Sequence, residues 1–195
     1  MTSVPPIEQL LAGSPEGLSK TLSILFEDSP TLRDNLVPQV AELLQSSTIP
    51  SYSALINLCY KVIQQWSDEL KSQFIAGHPR IGEVKNLSHL SAQEQAAKAT
   101  PPQVLARLAH LNKCYEYRYS RLIYITFVNG RTRAQIMEEM EEVLGLERSL
   151  SPDIPALESI GKVEVGSNEW KGELERAIGD VVRIAQSRLK PLGVE

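Results

Sequence analysis

Apolar positions recur every third or fourth residue through most of this chain, the period of an amphipathic helix. Ile7, Leu10 and Leu11 predict a short first helix over Pro5 to Leu11, broken at Gly13. Ser14 and Pro15 then form a start signal, an N-cap hydroxyl followed by proline at the first helical position. Leu18, Leu22, Leu25 and Phe26 supply the apolar side of that second helix. Ser29-Pro30 repeats the signal ahead of Leu32, Leu36, Val40, Leu43 and Leu44, and Pro38 is expected to kink or divide the segment. Ser51 opens the longest early helix. Its stripe is Leu55, Leu58, Cys59, Val62, Ile63 and Trp66, and Leu70 and Phe74 continue it toward Gly77-His78.

Beyond Gly82 the pattern lapses into a loop as far as Leu90. Ser91 and Glu94 match a capping box before an Ala-rich turn, and Thr100-Pro101-Pro102 closes that helix and starts another. Val104, Leu105, Leu108, Leu111 and Tyr115 are its inward positions. Between Arg121 and Val128 the residues are mostly β-branched or aromatic and end at an Asn129-Gly130 turn signal. One extended segment cannot build a sheet, so it is expected to lie buried among helices. Thr132 starts a helix through Ile136, Met140 and Val143 that stops near Gly145. Leu146 to Ser167 reads as a long connection with one turn of helix, and a last helix covers Asn168 to Leu189. The expected fold is therefore all-α, a single bundle-like domain over residues 1–195 with one short extended segment.

Composition narrows the function. Net charge is −4 and the pI about 5.5, without the basic face that nucleic acids require. No apolar run approaches the roughly 20 residues of a membrane span. The first residues lack the basic and apolar regions of a secretory leader, and the chain ends Leu192-Gly193-Val194-Glu195 rather than in a Ser-Lys-Leu signal. Cys59 and Cys114 fall inside helical patterns and read as reduced core thiols of an intracellular protein. His78, His89 and His110 show no paired-ligand spacing, so no metal is expected. Neither a phosphate loop nor a nucleophile elbow is present.

The least scaffold-like stretch is Gly77-His78-Pro79-Arg80-Ile81-Gly82. Pro79 disfavours α geometry at His78, and Gly77 lets the preceding helix stop. An imidazole on a constrained loop suits proton transfer near neutral pH, although a Gly-His-Pro turn also serves as a plain helix stop. Ser91, Glu94 and Gln95 share one side of a helical turn. They are either a capping box alone or the wall of a polar pocket beside His78. Arg131 and Arg133 flank a helix start, where the dipole offers cations nothing. Arg188 lies at the end of the last helix, where it does. The run Glu138, Glu139, Glu141, Glu142 is either a solvated face or, in an alternative reading of the protein as a helical interaction module, an acidic docking face.

Taken together, these signs resemble the OHCU decarboxylase family of purine degradation (OHCU is 2-oxo-4-hydroxy-4-carboxy-5-ureidoimidazoline). They are His78-Pro79 with Ile81-Gly82, then Ser91-x-x-Glu94-Gln95, then Leu111-Asn112-x-x-Tyr115-Glu116. An extended segment leading into Gly130-Arg131 and a terminal Ile184-Ala185-x-x-Arg188-Leu189 complete the set. The resemblance implies an all-helical decarboxylase without a cofactor, dimeric, yielding (S)-allantoin. It implies His78 as catalytic acid/base, with Glu94 as its orienting or substrate-binding partner. Pro79, Ser91, Ala92, Gln93 and Gln95 would contact the substrate, a ureidoimidazoline, together with the backbone of Ile123, Tyr124, Ile125, Thr126 and Phe127; Arg188 would help hold its negative charge. Many relatives carry Phe-Gly-Phe-Pro-Phe before the extended stretch, where this chain reads Tyr119-Ser120-Arg121-Leu122-Ile123. The location implied is cytoplasmic or peroxisomal. An all-β hydrolase acting earlier on 5-hydroxyisourate conflicts with the helical pattern.

Overall fold

The computed structural model describes residues 3–83, 90 and 100–194. Among these the regular elements are all helical, with no strand. They group into two compact units, Met1–His78 with Ile178–Glu195, and Pro79–Ala177.

In the first unit, α1 (Ile7–Leu11) is followed by α2 (Pro15–Phe26), whose N-cap Ser14 accepts from the Gly17 N–H. A π-helical turn, Leu32–Leu36, runs straight into α3 (Val37–Leu44). Proline in an α-helix removes a donor and collides with the carbonyl four residues back. The wider π turn just before Pro38 accommodates that collision, so Pro38 changes the helix geometry without ending it. Next come α4 (Tyr52–Gln64), capped by Ser51, and α5 (Asp68–Ile75). The single long helix expected here is in fact two. Ser67 accepts from the Leu70 N–H at 3.3 Å and caps α5, and Asp68 and Glu69 favour the positive end of a new helix. Trp66 fills the break, buried, with its indole N–H on Gln39 at 3.1 Å. Leu22, Leu25, Leu32, Leu36, Leu55, Ile56, Ile63 and Phe74 form the core, fully buried. Each such side chain contributes about 1.5–3 kcal/mol relative to exposure.

The second unit is built on α6 (Pro102–Arg118) packed against α7 (Arg133–Leu144). Thr132 and Gln135 make a reciprocal capping box, and Gly145, at φ +67°, ends α7 in the left-handed conformation that glycine tolerates. The inward positions of α7 are Ile136, Met137, Met140 and Leu144; Val143, expected inside, is 36% exposed. Residues 122–126 are buried and carry no regular structure, as expected of a lone extended segment. The connection from Leu146 holds one 3-10 turn, Leu157–Ser159. α8 (Asn168–Ser187) begins in this unit and ends in the other, followed by α9 (Leu189–Leu192).

Three carboxylates of the acidic run on α7 are ion-paired, while Glu142 is exposed. Glu141 is completely buried and ion-paired with Arg107, itself 1% exposed, at 2.8 Å. Glu138 pairs with Arg148 and Glu139 with Arg131. Arg107 also donates to the Ser151 and Ile154 carbonyls, and Glu141 accepts from the Ser149 N–H. One buried pair thus fastens the connection to the helices. Cys59 and Cys114 are free, buried thiols whose burial pushes both pKa values up.

Candidate active site

His78 sits at the end of the first unit. After α5 the chain turns on Ala76-Gly77, with the His78 N–H on the Ile75 carbonyl at 3.0 Å. A Cβ on Gly77 would lie 2.6 Å from the Cβ of Ser29, so the turn needs glycine for closeness of approach. The imidazole is 7% exposed and stands edge-on to Phe74, centroids 5.7 Å apart. Both ring nitrogens lack a hydrogen-bond partner among the described residues. Burial pushes the pKa of the ring down to about 4, helped by the charge of Arg188 and opposed by that of Glu27. At neutral pH the ring is therefore uncharged, with one nitrogen able to accept a proton and the other carrying one.

Arg188 is 2% exposed. Its guanidinium donates to the Ile24 carbonyl at 3.0 Å, the Leu25 carbonyl at 3.1 Å and Glu27 Oε1 at 2.6 Å. The arginine expected to meet substrate is thus held at the C-terminus of α2 by charge and by carbonyls that a helix end leaves unpaired. Glu27 was not singled out in the sequence.

In the second unit, the segment after Pro79 is pinned by α6. Asn112 donates to the Ile81 carbonyl at 2.9 Å, Glu116 binds Arg80 through both oxygens, and Gly82, at φ +86°, lies against Leu108. The Leu-Asn-x-x-Tyr-Glu spacing therefore has a physical meaning: Asn112 and Glu116, one helical turn apart, grip the residues that follow the histidine. Tyr115 points instead to Glu173 on α8.

The stretch Ile123 to Phe127 is held by two arginines. Arg176 Nη1 donates to the Ile125 carbonyl at 2.9 Å, while its other nitrogens bind Glu173 and its guanidinium stands 5.3 Å from the Tyr124 ring centre. Arg131 donates to the Thr126 hydroxyl at 3.0 Å and to the Phe127 and Val128 carbonyls. Its position at a helix start is explained by these contacts. None of the backbone N–H groups of residues 123–127 has a hydrogen-bond partner among the described residues. Buried backbone donors are nearly always paired, so a row of open ones offers a ready cradle for an oxygen-rich ligand. Burial pushes both the Tyr115 and Tyr124 phenols up, Tyr124 to about 12, so neither ionises near neutral pH. Ser91, Ala92, Gln93, Glu94 and Gln95 lie outside the described residues. No group of three His, Cys, Asp or Glu side chains among the described residues is arranged to hold a metal ion, and no helix there is long and apolar enough to cross a membrane.

An all-α chain with a neutral, buried histidine on a glycine-proline turn suits proton-transfer chemistry. Residues 12–150 match the family model for OHCU decarboxylase, and the chain belongs to that family of carboxy-lyases. Two solved structures share its fold. A crystal structure of (S)-allantoin synthase is 18% identical, with a TM-score of 0.58, over 96% of this chain and 54% of that one. A crystal structure of OHCU decarboxylase in the presence of (S)-allantoin is also 18% identical, with a TM-score of 0.57, over 93% of this chain and 99% of that one. The chain thus spans about half of the allantoin synthase and nearly all of the decarboxylase. None of the curated proteins matches it in sequence.

Proposed function

We propose that this protein decarboxylates OHCU to (S)-allantoin without a cofactor. The observation that carries the reading is the buried, neutral His78 turn, which lies inside the span matched to the OHCU decarboxylase family. Loss of CO₂ from the ring carbon leaves an electron pair delocalised into the adjacent ring unsaturation. One proton must then be delivered to one face of the ring, and the choice of face fixes the product's configuration. A neutral imidazole starts this cycle as a base toward the ring hydroxyl and returns that proton to carbon, while the ring nitrogen that received the electron pair takes one proton from solvent, which balances the loss of CO₂. Glu94 orients the ring or the substrate. Pro79, Ser91, Ala92, Gln93 and Gln95 contact the substrate, and the open N–H groups of Ile123 to Phe127 hold its oxygens. Arg188 supplies positive charge against the substrate's carboxylate. The protein works as a homodimer inside the cell, in the cytoplasm or peroxisome; the buried, unpaired thiols suit a reducing compartment.

The test is the circular dichroism of freshly generated OHCU with and without the protein. Rapid growth of one allantoin enantiomer is expected, and decay no faster than the spontaneous racemic reaction would refute the proposal. Arg176→Met, which frees the Ile125 carbonyl, is expected to raise KM about tenfold with kcat within about threefold. That corresponds to the loss of one charge-assisted hydrogen bond acting on binding. An unchanged KM would remove Arg176 from any role in shaping the cradle.

A further inference from the structure

The short corner between α2 and the π turn, Ile24 to Ser29, meets both the His78 turn and Arg188. Phe26 packs on Phe74, with ring centroids 6.2 Å apart, and Phe74 in turn packs edge-on to the His78 imidazole. Ser29 fills the space that a Gly77 side chain would need. Ile24, Leu25 and Glu27 supply the acceptors around the Arg188 guanidinium. At the centre of the corner, Glu27 has φ +67° and ψ 145°, a conformation that strains a non-glycine residue and clusters at functional sites. Ordinary helix termination does not require it, since a glycine would occupy the same geometry without strain. What glutamate adds there is a carboxylate, 7% exposed, placed 2.6 Å from Arg188 Nη2.

We propose that Glu27 is a positioning residue for the decarboxylation: through its ion pair it fixes the Arg188 guanidinium relative to the His78 ring and offsets the arginine's charge there. This rests on the reading of His78 as the acid/base. The charged groups that act on the ring among the described residues are Arg188 and Glu27, with opposite signs. Without the carboxylate, a buried guanidinium keeps its charge and loses the anion it pairs with at 2.6 Å. It then turns toward other acceptors and destabilises any imidazolium formed during turnover.

Three variants test this: Glu27→Gln, Glu27→Asp and Glu27→Gln combined with Arg188→Met, each checked for wild-type helical content. Glu27→Gln is expected to lower kcat about tenfold or more, a part of the roughly 10²–10⁴-fold that acid/base catalysis supplies, and Glu27→Asp to recover part of the loss. The double variant is expected to be no slower than Arg188→Met alone, because residues acting as a unit are not additive. A second readout needs no substrate. The ¹⁵N shifts of the His78 ring at pH 7, assigned by comparison with His78→Gln, are expected to move in Glu27→Gln. Wild-type kcat in folded Glu27→Gln, or additive losses in the double variant with unmoved ring shifts, would overturn the proposal. A wild-type protein that leaves OHCU untouched would instead overturn the functional reading, while the ring shifts would still report on Glu27.

Discussion

His78→Gln is expected to lose about 10²–10⁴-fold in kcat, the usual worth of a positioned acid/base group, and to keep its helical circular dichroism. The side chain packs against Phe74 and makes no hydrogen bond among the described residues, so its removal costs chemistry more than structure. The same substitution has a signature in stability. With the folded pKa depressed to about 4 and the unfolded value near 6.5, the unfolded chain binds a proton here that the folded chain refuses. Stability from this group therefore falls as pH drops from about 6.5 to about 4, and is indifferent to pH above that window. The variant's melting temperature should fall less steeply than wild type across that interval. Full activity in His78→Gln would eliminate the proposed role, and an identical pH dependence of melting would contradict a buried neutral ring.

The largest expected loss of stability comes from Arg107→Met. It leaves Glu141 completely buried without its cation and frees the Ser151 and Ile154 carbonyls. Breaking a buried pair from one side costs about 3–5 kcal/mol. At about 2–4 °C per kcal/mol for a chain of this size, melting should drop by about 6–20 °C. Arg107→Met with Glu141→Leu replaces both charges by apolar groups and is expected to recover most of the loss, since such exchanges are often close to neutral. Thermal melts of the three proteins decide the matter. A single variant as stable as wild type would mean that the pair stabilises nothing.

These contacts mark where sequence reading ends. Caps at Ser14, Ser51 and Thr132 and the left-handed Gly145 are local signals, resolved within four residues, and could be read directly. The break at Ser67 was masked by Trp66, Leu70 and Phe74, which keep helical spacing across it, although Ser67-Asp68-Glu69 carries the start signal. Arg107 and Glu141 are 34 residues apart and no local pattern pairs them. One clue was present: Glu141 falls four residues after Met137 and three before Leu144, on the inward stripe of α7. In the candidate site, the Gly-His-Pro turn was legible because its geometry is imposed by its own neighbours. Glu27 was not, because its partner Arg188 lies 161 residues away. The arginine clamps on Ile125 and Phe127 are equally invisible to periodicity, since what they hold is backbone.

Burial of the Arg107–Glu141 and Arg188–Glu27 pairs divides the protein's charges into two populations by ionic strength. At physiological salt the Debye length is about 8 Å, and counterions screen pairs that water reaches. Arg33–Asp28 and Arg148–Glu138, on open surface, belong to that class and fade as salt is added. The two interior pairs lie where counterions do not enter. The electrostatics that fasten the connection after α7, and those that surround the histidine, are therefore insulated from the salt content of the solution around the protein.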